Sequence, residues 1–157
     1  MVTYFATRAM EMNDPHTAEE SKPLLALLER YAYFRTEAMG KQVLHELMNG
    51  PAVLYLLVNR TDGSPAFMLG EDGKPLTAWL ASTTVDRDLI GATDHEEEVT
   101  FQPRPVSEIM RLMQKKGDKL PFMILMLNNQ LDSAAWLIRQ NRTWRMMAPP
   151  PPEVHAE

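Results

Sequence analysis

Three arginines and a tryptophan crowd the segment RQNRTWR, Arg139 to Arg145, near the end of the chain. Arginine beside an aromatic ring is the composition of a phosphate or nucleic-acid contact, because the guanidinium meets backbone charge and the ring offers its face to a base. In an extended chain Arg139 and Arg145 share a face with Asn141 and Thr143, while Arg142 and Trp144 point the other way. Lys115, Lys116 and Lys119 precede them and lengthen the basic stretch. Two other readings compete. Trp136 and Trp144 can be core residues, or the arginines can serve an acidic protein partner.

Other chemistry is thinly represented. His16, His45, His95 and His155 are scattered, and none has a histidine or cysteine at metal-ligand spacing. His95 stands beside Glu96, Glu97 and Glu98, which suits a carboxylate metal site or an acid–base pair less well than an exposed acidic loop. Asp86, Asp88 and Asp94 lack the ordered ligand spacing of a calcium loop. There is no phosphate-binding glycine loop, no His-Glu-x-x-His and no nucleophile elbow. Cysteine is absent, which removes disulfides, thiolate metal sites and thiol nucleophiles. The reading is a protein without enzymatic turnover, metal or cofactor.

Charge and methionine point towards association. Residues 1–100 hold 8 basic against 16 acidic side chains, whereas residues 101–147 hold 8 against 3, within a net charge of −5. Such segments can attract each other or present opposite faces to partners. Among twelve methionines, Met110, Met113, Met123 and Met126 suit an adaptable contact surface, although their periodicity equally suits a core. A protein partner, including a second copy of the chain, is therefore expected on Arg139, Arg142, Trp144, Arg145, Met110 and Met113, with nucleic acid as the rival claim.

The elements that must carry these residues follow from periodicity. Leu24, Leu27, Leu28 and Tyr31 mark a helix entered at Ser21, with Pro23 tolerable in its first turn. Gly40 is a point where it bends or divides, and Val43, Leu44, Leu47 and Met48 carry a second stripe to the stop Asn49-Gly50-Pro51. Three antiparallel passes are expected at Val53–Val58, Ala66–Leu69 and Leu76–Leu80, turned by Asp62-Gly63 and Asp72-Gly73. Ser82 to Glu98 reads as a loop, with one short strand over Val99–Gln102. The clearest helix runs from Pro105 to Gly117. Phe122–Leu127 is a strand, and one or two strands close the fold.

The order is α-βββ-(β)-α-ββ(β), an α+β protein with one mixed or largely antiparallel sheet. Residues 1–20 read as an extension, 21–147 as one domain and 148–157 as a proline-rich mobile tail. Val53–Val58 and Phe122–Leu127 lack polar alternation and should be central strands, so that Leu56→Asp or Ile124→Asp unfolds the domain. The first residues carry no secretory pattern, and the longest apolar run, Phe122 to Leu127, is far below the ~20 residues of a membrane span, which suits the cytoplasm.

The stretches Phe34–Asn59, Phe67–Ser82 and Pro105–Asn129 resemble the N-terminal domain of SseB-like proteins, the enhanced-serine-sensitivity family. The matching pieces are a strand at Leu54–Val58, a hairpin at Glu71–Ser82, a helix at Pro105–Gly117 and a strand at Leu125–Asn128. Asn129 stands where that family has proline, and its helix after the hairpin is not evident. The resemblance implies an α+β adaptor or protein-binding domain and transfers no catalytic residue. The element order is also similar to small acidic homodimeric chaperones of secreted effectors, which close with a further helix.

Overall fold

The computed structural model describes residues 15–70, 72–86, 98–128 and 132–149. Its order is β1 (Pro15–Thr17), α1 (Lys22–Phe34), α2 (Glu37–Asn49), β2 (Val53–Asn59), β3 (Ala78–Ser82), β4 (Thr84–Asp86) and β5 (Val99–Pro105). Then come α3 (Val106–Gly117), β6 (Met123–Leu127), β7 (Ala135–Gln140) and β8 (Thr143–Met147). The fold is α+β, as the periodicities imply.

Leu24, Leu28 and Tyr31 turn one buried face of α1 to the core. Its start at Lys22 follows Ser21, but that side chain does not cap the helix. Ser21 Oγ instead accepts from Val53 N at 2.9 Å and donates to Val53 O, fastening the helix entrance to β2. The helix divides earlier than expected. Arg35 adopts φ 57°, and Thr36 caps α2 by accepting from Met39 N at 3.2 Å. Gly40 lies inside α2, where a Cβ would sit 3.2 Å from the Tyr31 ring. The glycine serves close approach of α1 and α2, not a bend.

The main sheet has the order β5-β2-β3-β6-β7-β8. Only β3 and β6 run parallel; the other neighbours are antiparallel. The two fully apolar runs, β2 and β6, are both interior strands. The middle pass of the expected meander is not a strand. Residues 65–69 form only isolated bridges, at Val58↔Pro65 and Leu69↔Pro75, wedged where β2 and β3 separate beyond Leu56↔Ala81. Each bridge contains a proline, which has no N–H to extend a ladder.

Two further boundaries differ. Thr84–Asp86, expected in a loop, pairs with Pro15–Thr17, expected in an extension. Strands of three residues are too short to show a period. The rest of the acidic loop, 87–97, lies outside the described residues. The strand expected at Val99–Gln102 runs on to Pro105 along the whole of β2, and its prolines are tolerated on an edge strand.

The helices all cover one face of the sheet. Against them pack Leu54, Leu56, Trp79, Met123, Leu125 and Leu137. Met110 is 8% exposed and Met113 is fully buried in this layer, so both are core. On the opposite face a second cluster, including Tyr55, Leu57, Leu80 and Phe101, is covered by Ala66, Met68 and Val85. That cover lies over the β2–β3 end of the sheet.

Candidate functional site

Hairpin β7–β8 decides where the basic segment goes. Asn141 and Arg142 occupy its two-residue turn with φ 53° and 61°, the left-handed pair that matches strand twist. The register then sets Arg139 opposite Trp144 and Ile138 opposite Arg145. Arg139 faces the helices. Its Nε and Nη2 donate to Asp118 Oδ1, and its Cζ lies 4.8 Å from the Trp144 ring centroid. Arg145 projects from the opposite face, exposed, with Nη2 3.5 Å from Gln140 Oε1. Arg142 is exposed at the turn.

The expected basic patch therefore does not assemble. Strand alternation together with the two-residue turn sends the three arginines in three directions, and Trp144 stays half-buried over Arg139. Met110 and Met113 leave the candidate surface as well, since α3 turns its apolar stripe inward.

On the face away from the helices, apolar rows run from the buried second cluster out to partly exposed side chains at β8. Cross-strand register lines up Ala78, Ile124, Ile138 and Arg145 in one row. The next row is Leu80, Met126, Trp136 and Met147. Towards β8 these rows shape a groove of about 300 Å³ lined by Phe122, Ile124, Trp136, Ile138, Arg145 and Met147. Phe122 is 38% exposed and Met147 43%. Trp136 Nε1 is buried here without a hydrogen-bond partner among the described residues. Beyond it, β8 pairs only with β7, so its outer edge carries no ladder among the described residues.

The composition of these strands bears on their second face. Phe122–Leu127 is apolar at both odd and even positions, and Ala135–Ile138 likewise, so both faces of these strands need cover. Three helices on one side cannot supply it for the other.

The lysines go elsewhere. Lys115, Lys116 and Lys119 line a separate groove on the helix side, beside Phe67 and Trp79. Ser82, Thr83, Asn128 and Ser133 form a buried polar cluster at the ends of β3 and β6, with Asn128 Oδ1 and Nδ2 satisfied inside it. His45 is exposed on α2, its Nδ1 3.2 Å from Asn49 Nδ2, and His95 lies outside the described residues. Among the described residues no group of three or more His, Asp or Glu side chains is placed to hold a metal ion. None of the described helices is long and apolar enough to cross a membrane. No family model, no curated protein and no solved structure matches this chain.

Proposed function

We propose that this chain is a protein-binding module without chemistry of its own, of the adaptor type its resemblance to SseB-like N-terminal domains implies. The partner docks on the β8 end of the face away from the helices and adds a strand to the edge of β8 that carries no ladder among the described residues. One observation carries this reading: among the described residues, the apolar face away from the helices leaves Phe122 38% and Met147 43% exposed at its β8 end. Main-chain hydrogen bonds along an edge supply affinity, and side-chain pockets supply choice of partner. Phe122, Trp136 and Met147 are aromatic and methionine side chains of the kind enriched at the centre of interfaces.

Arg145 selects the partner's chemistry. It is the charged group at the end of an apolar row, and a strand laid against β8 with an acidic residue facing it gains an opposite-charge pair. A second copy paired antiparallel about Arg145 would set two arginines against each other, which is unfavourable. A heterologous acidic strand is therefore favoured over a chaperone-like homodimer. The nucleic-acid reading loses its motive, because Arg139 is buried in an ion pair and cannot share a surface with Arg145.

The decisive experiment is capture of the partner from the native host with a photoreactive residue at position 147, with and without nuclease. A defined protein that cross-links there, survives nuclease and disappears with Phe122→Ser or Arg145→Glu supports the reading. Nuclease-sensitive material, or capture unchanged by either variant, removes it. Sedimentation of the purified chain reports a homodimer separately. Arg139→Glu is unsuitable as a binding variant, because it sets a second carboxylate beside Asp118.

A further inference from the structure

A second groove lies on the helix side of the sheet. It has a volume of about 400 Å³, within the range of small-molecule pockets. Its basic rim is Lys115 and Lys116 from the last turn of α3, with Lys119 just after it. Its apolar wall is Leu112, Pro65 and Phe67, with Trp79 at the side of the sheet.

The charge of this groove is unmatched among the described residues. The ion pairs among the described residues are Lys22–Glu19, Lys41–Glu37, Arg104–Glu108 and Arg139–Asp118. None involves the three lysines, which are all exposed. Asp118, between Lys116 and Lys119 in sequence, is turned to Arg139. Asp62, on the loop before Ser64, accepts from both the backbone and the hydroxyl of Ser64. Trp79 lines the groove with a side chain that is 3% exposed.

Complementing the helix dipole accounts for Lys115 and Lys116 alone. It leaves Lys119 unexplained. The Gln114 and Lys116 carbonyls are already taken by the backbone N–H groups of Asp118 and Lys119, so the lysine side chains have no capping duty.

We propose that this groove binds a small phosphate monoester with an apolar body. Three ammonium groups call for more negative charge than one carboxylate supplies, and a phosphate monoester carries about −1.5 to −2 near neutrality. Lysine meets phosphate as a mobile point charge, whereas carboxylate recognition favours the planar fork of arginine, which this groove lacks. The apolar body rests on Leu112, Pro65 and Phe67. One face of Phe67 is already occupied, since Lys116 Nζ lies 5.5 Å from its ring centroid, so contact with the body is at the ring's edge and not by stacking. The Trp79 side chain borders the groove and reports its occupation. This site lies on the opposite side of the sheet from the β6–β8 docking face and does not depend on it.

The test is titration of the full chain followed by the indole N–H resonances in a 1H–15N spectrum. The Trp79 signal is identified by its loss in Trp79→Phe. Phenyl phosphate should shift that resonance saturably, with inorganic phosphate and benzoate each binding more weakly because each lacks half of the ligand. Lys116→Gln combined with Lys119→Gln should weaken phenyl phosphate by about tenfold or more. All of these lysines are exposed, so the melting curve should stay that of the wild type. Absence of a saturable shift up to about 10 mM phenyl phosphate, equal binding by the lysine variant, or benzoate matching phenyl phosphate each overturns the proposal.

Discussion

Arg139 donates from both Nε and Nη2 to a single oxygen, Asp118 Oδ1, at 3.3 and 3.2 Å, while only 6% of the arginine is exposed. The pair joins β7 to the end of α3, and the Trp144 ring closes over the guanidinium. Its geometry separates two effects that a single alanine variant confuses. Asp118→Ala strands a buried cation and should cost about 2 kcal/mol, below the ~3–5 of a fully buried pair because Asp118 is partly exposed. Arg139→Met, which removes the charge and keeps the packing, should stay within about 1 kcal/mol of wild type. Urea unfolding of both variants checks the order.

The same contact gives Gly117 its role. A Cβ there would lie 2.6 Å from Arg139 Cγ and 3.1 Å from its Cβ. Alanine gains about 1 kcal/mol over glycine inside a helix, but overpacking typically costs about 1–3. Gly117→Ala should therefore destabilise the wild type and lose most of that penalty in an Arg139→Ala background, where Cγ is gone. Equal effects in both backgrounds would show that the clash is relieved elsewhere.

The helices and the apolar strands were readable because period and composition report burial directly. Leu24, Leu28 and Tyr31 are buried at their expected spacing, and the helix expected from Pro105 to Gly117 buries Val106, Ile109 and Met113. The candidate surfaces were not, because they depend on pairings the chain does not announce. Arg139 and Arg145 share a face in a straight strand, but the Asn141-Arg142 turn lies between them and reverses it. Lys116 and Phe67 are far apart in sequence, and only the β2–β3 wedge brings them together. The αL residue at Arg35 broke the first helix where no glycine marked it. The parallel β3–β6 pair was equally hidden, since a parallel neighbour is fixed by a crossover and not by a turn.

At the end of that parallel pair Asn128 holds the corner. Its Oδ1 accepts from Thr83 N at 2.8 Å and Ser82 Oγ at 3.0 Å, and its Nδ2 donates to Thr83 Oγ1 and Ser133 Oγ, each at 2.9 Å. Its backbone sits at φ 50°, which asparagine tolerates better than most residues. Asn128→Ala leaves a buried backbone donor unpaired and should cost about 3 kcal/mol or more. Asn128→Gly loses the same hydrogen bonds but fits the backbone, so it should be milder by about 1 kcal/mol. Denaturation midpoints of the two variants decide this.

Tyr31 should make stability fall at high pH. Burial raises its phenol above the ordinary 10.0, and the Ala148 backbone hydrogen bond and the Arg35 charge, which pull it down, do not offset that. The native state thus holds the proton more tightly than the unfolded chain. Its contribution is whole below about pH 10 and is lost as pH rises through the folded-state value. Tyr31→Phe should be less stable than wild type near neutrality, by about 1 kcal/mol for the lost Ala148 contact. The gap should then narrow above pH 10. Lysine titration affects both proteins alike, so the difference between their pH profiles isolates Tyr31.

Leu56 and Ile124 stand on interior strands, yet an aspartate at each should have different consequences. Leu56 is 1% exposed beneath the helices, between Gln102 of β5 and Ala81 of β3. An unpaired carboxylate there has no route to water, and its cost of several kcal/mol is comparable to the ~5–15 that holds a domain together. Leu56→Asp should leave no cooperative melting transition. Ile124 lies on the other face, half-buried at the floor of the groove shared with Ile138 and Arg145. Aspartate at 124 reaches solvent through that groove, and Arg145 of the same row supplies an opposite charge nearby. The cost should be about 1–2 kcal/mol, a lowered midpoint with the transition retained. The variant should also lose the partner, because the surface that the added chain must cover is no longer apolar. Calorimetry and cross-linking from position 147 read these two outcomes separately. A folded Ile124→Asp that still captures the partner would place docking elsewhere, and an Ile124→Asp as unfolded as Leu56→Asp would mean that the β6–β8 face is closed in the native protein.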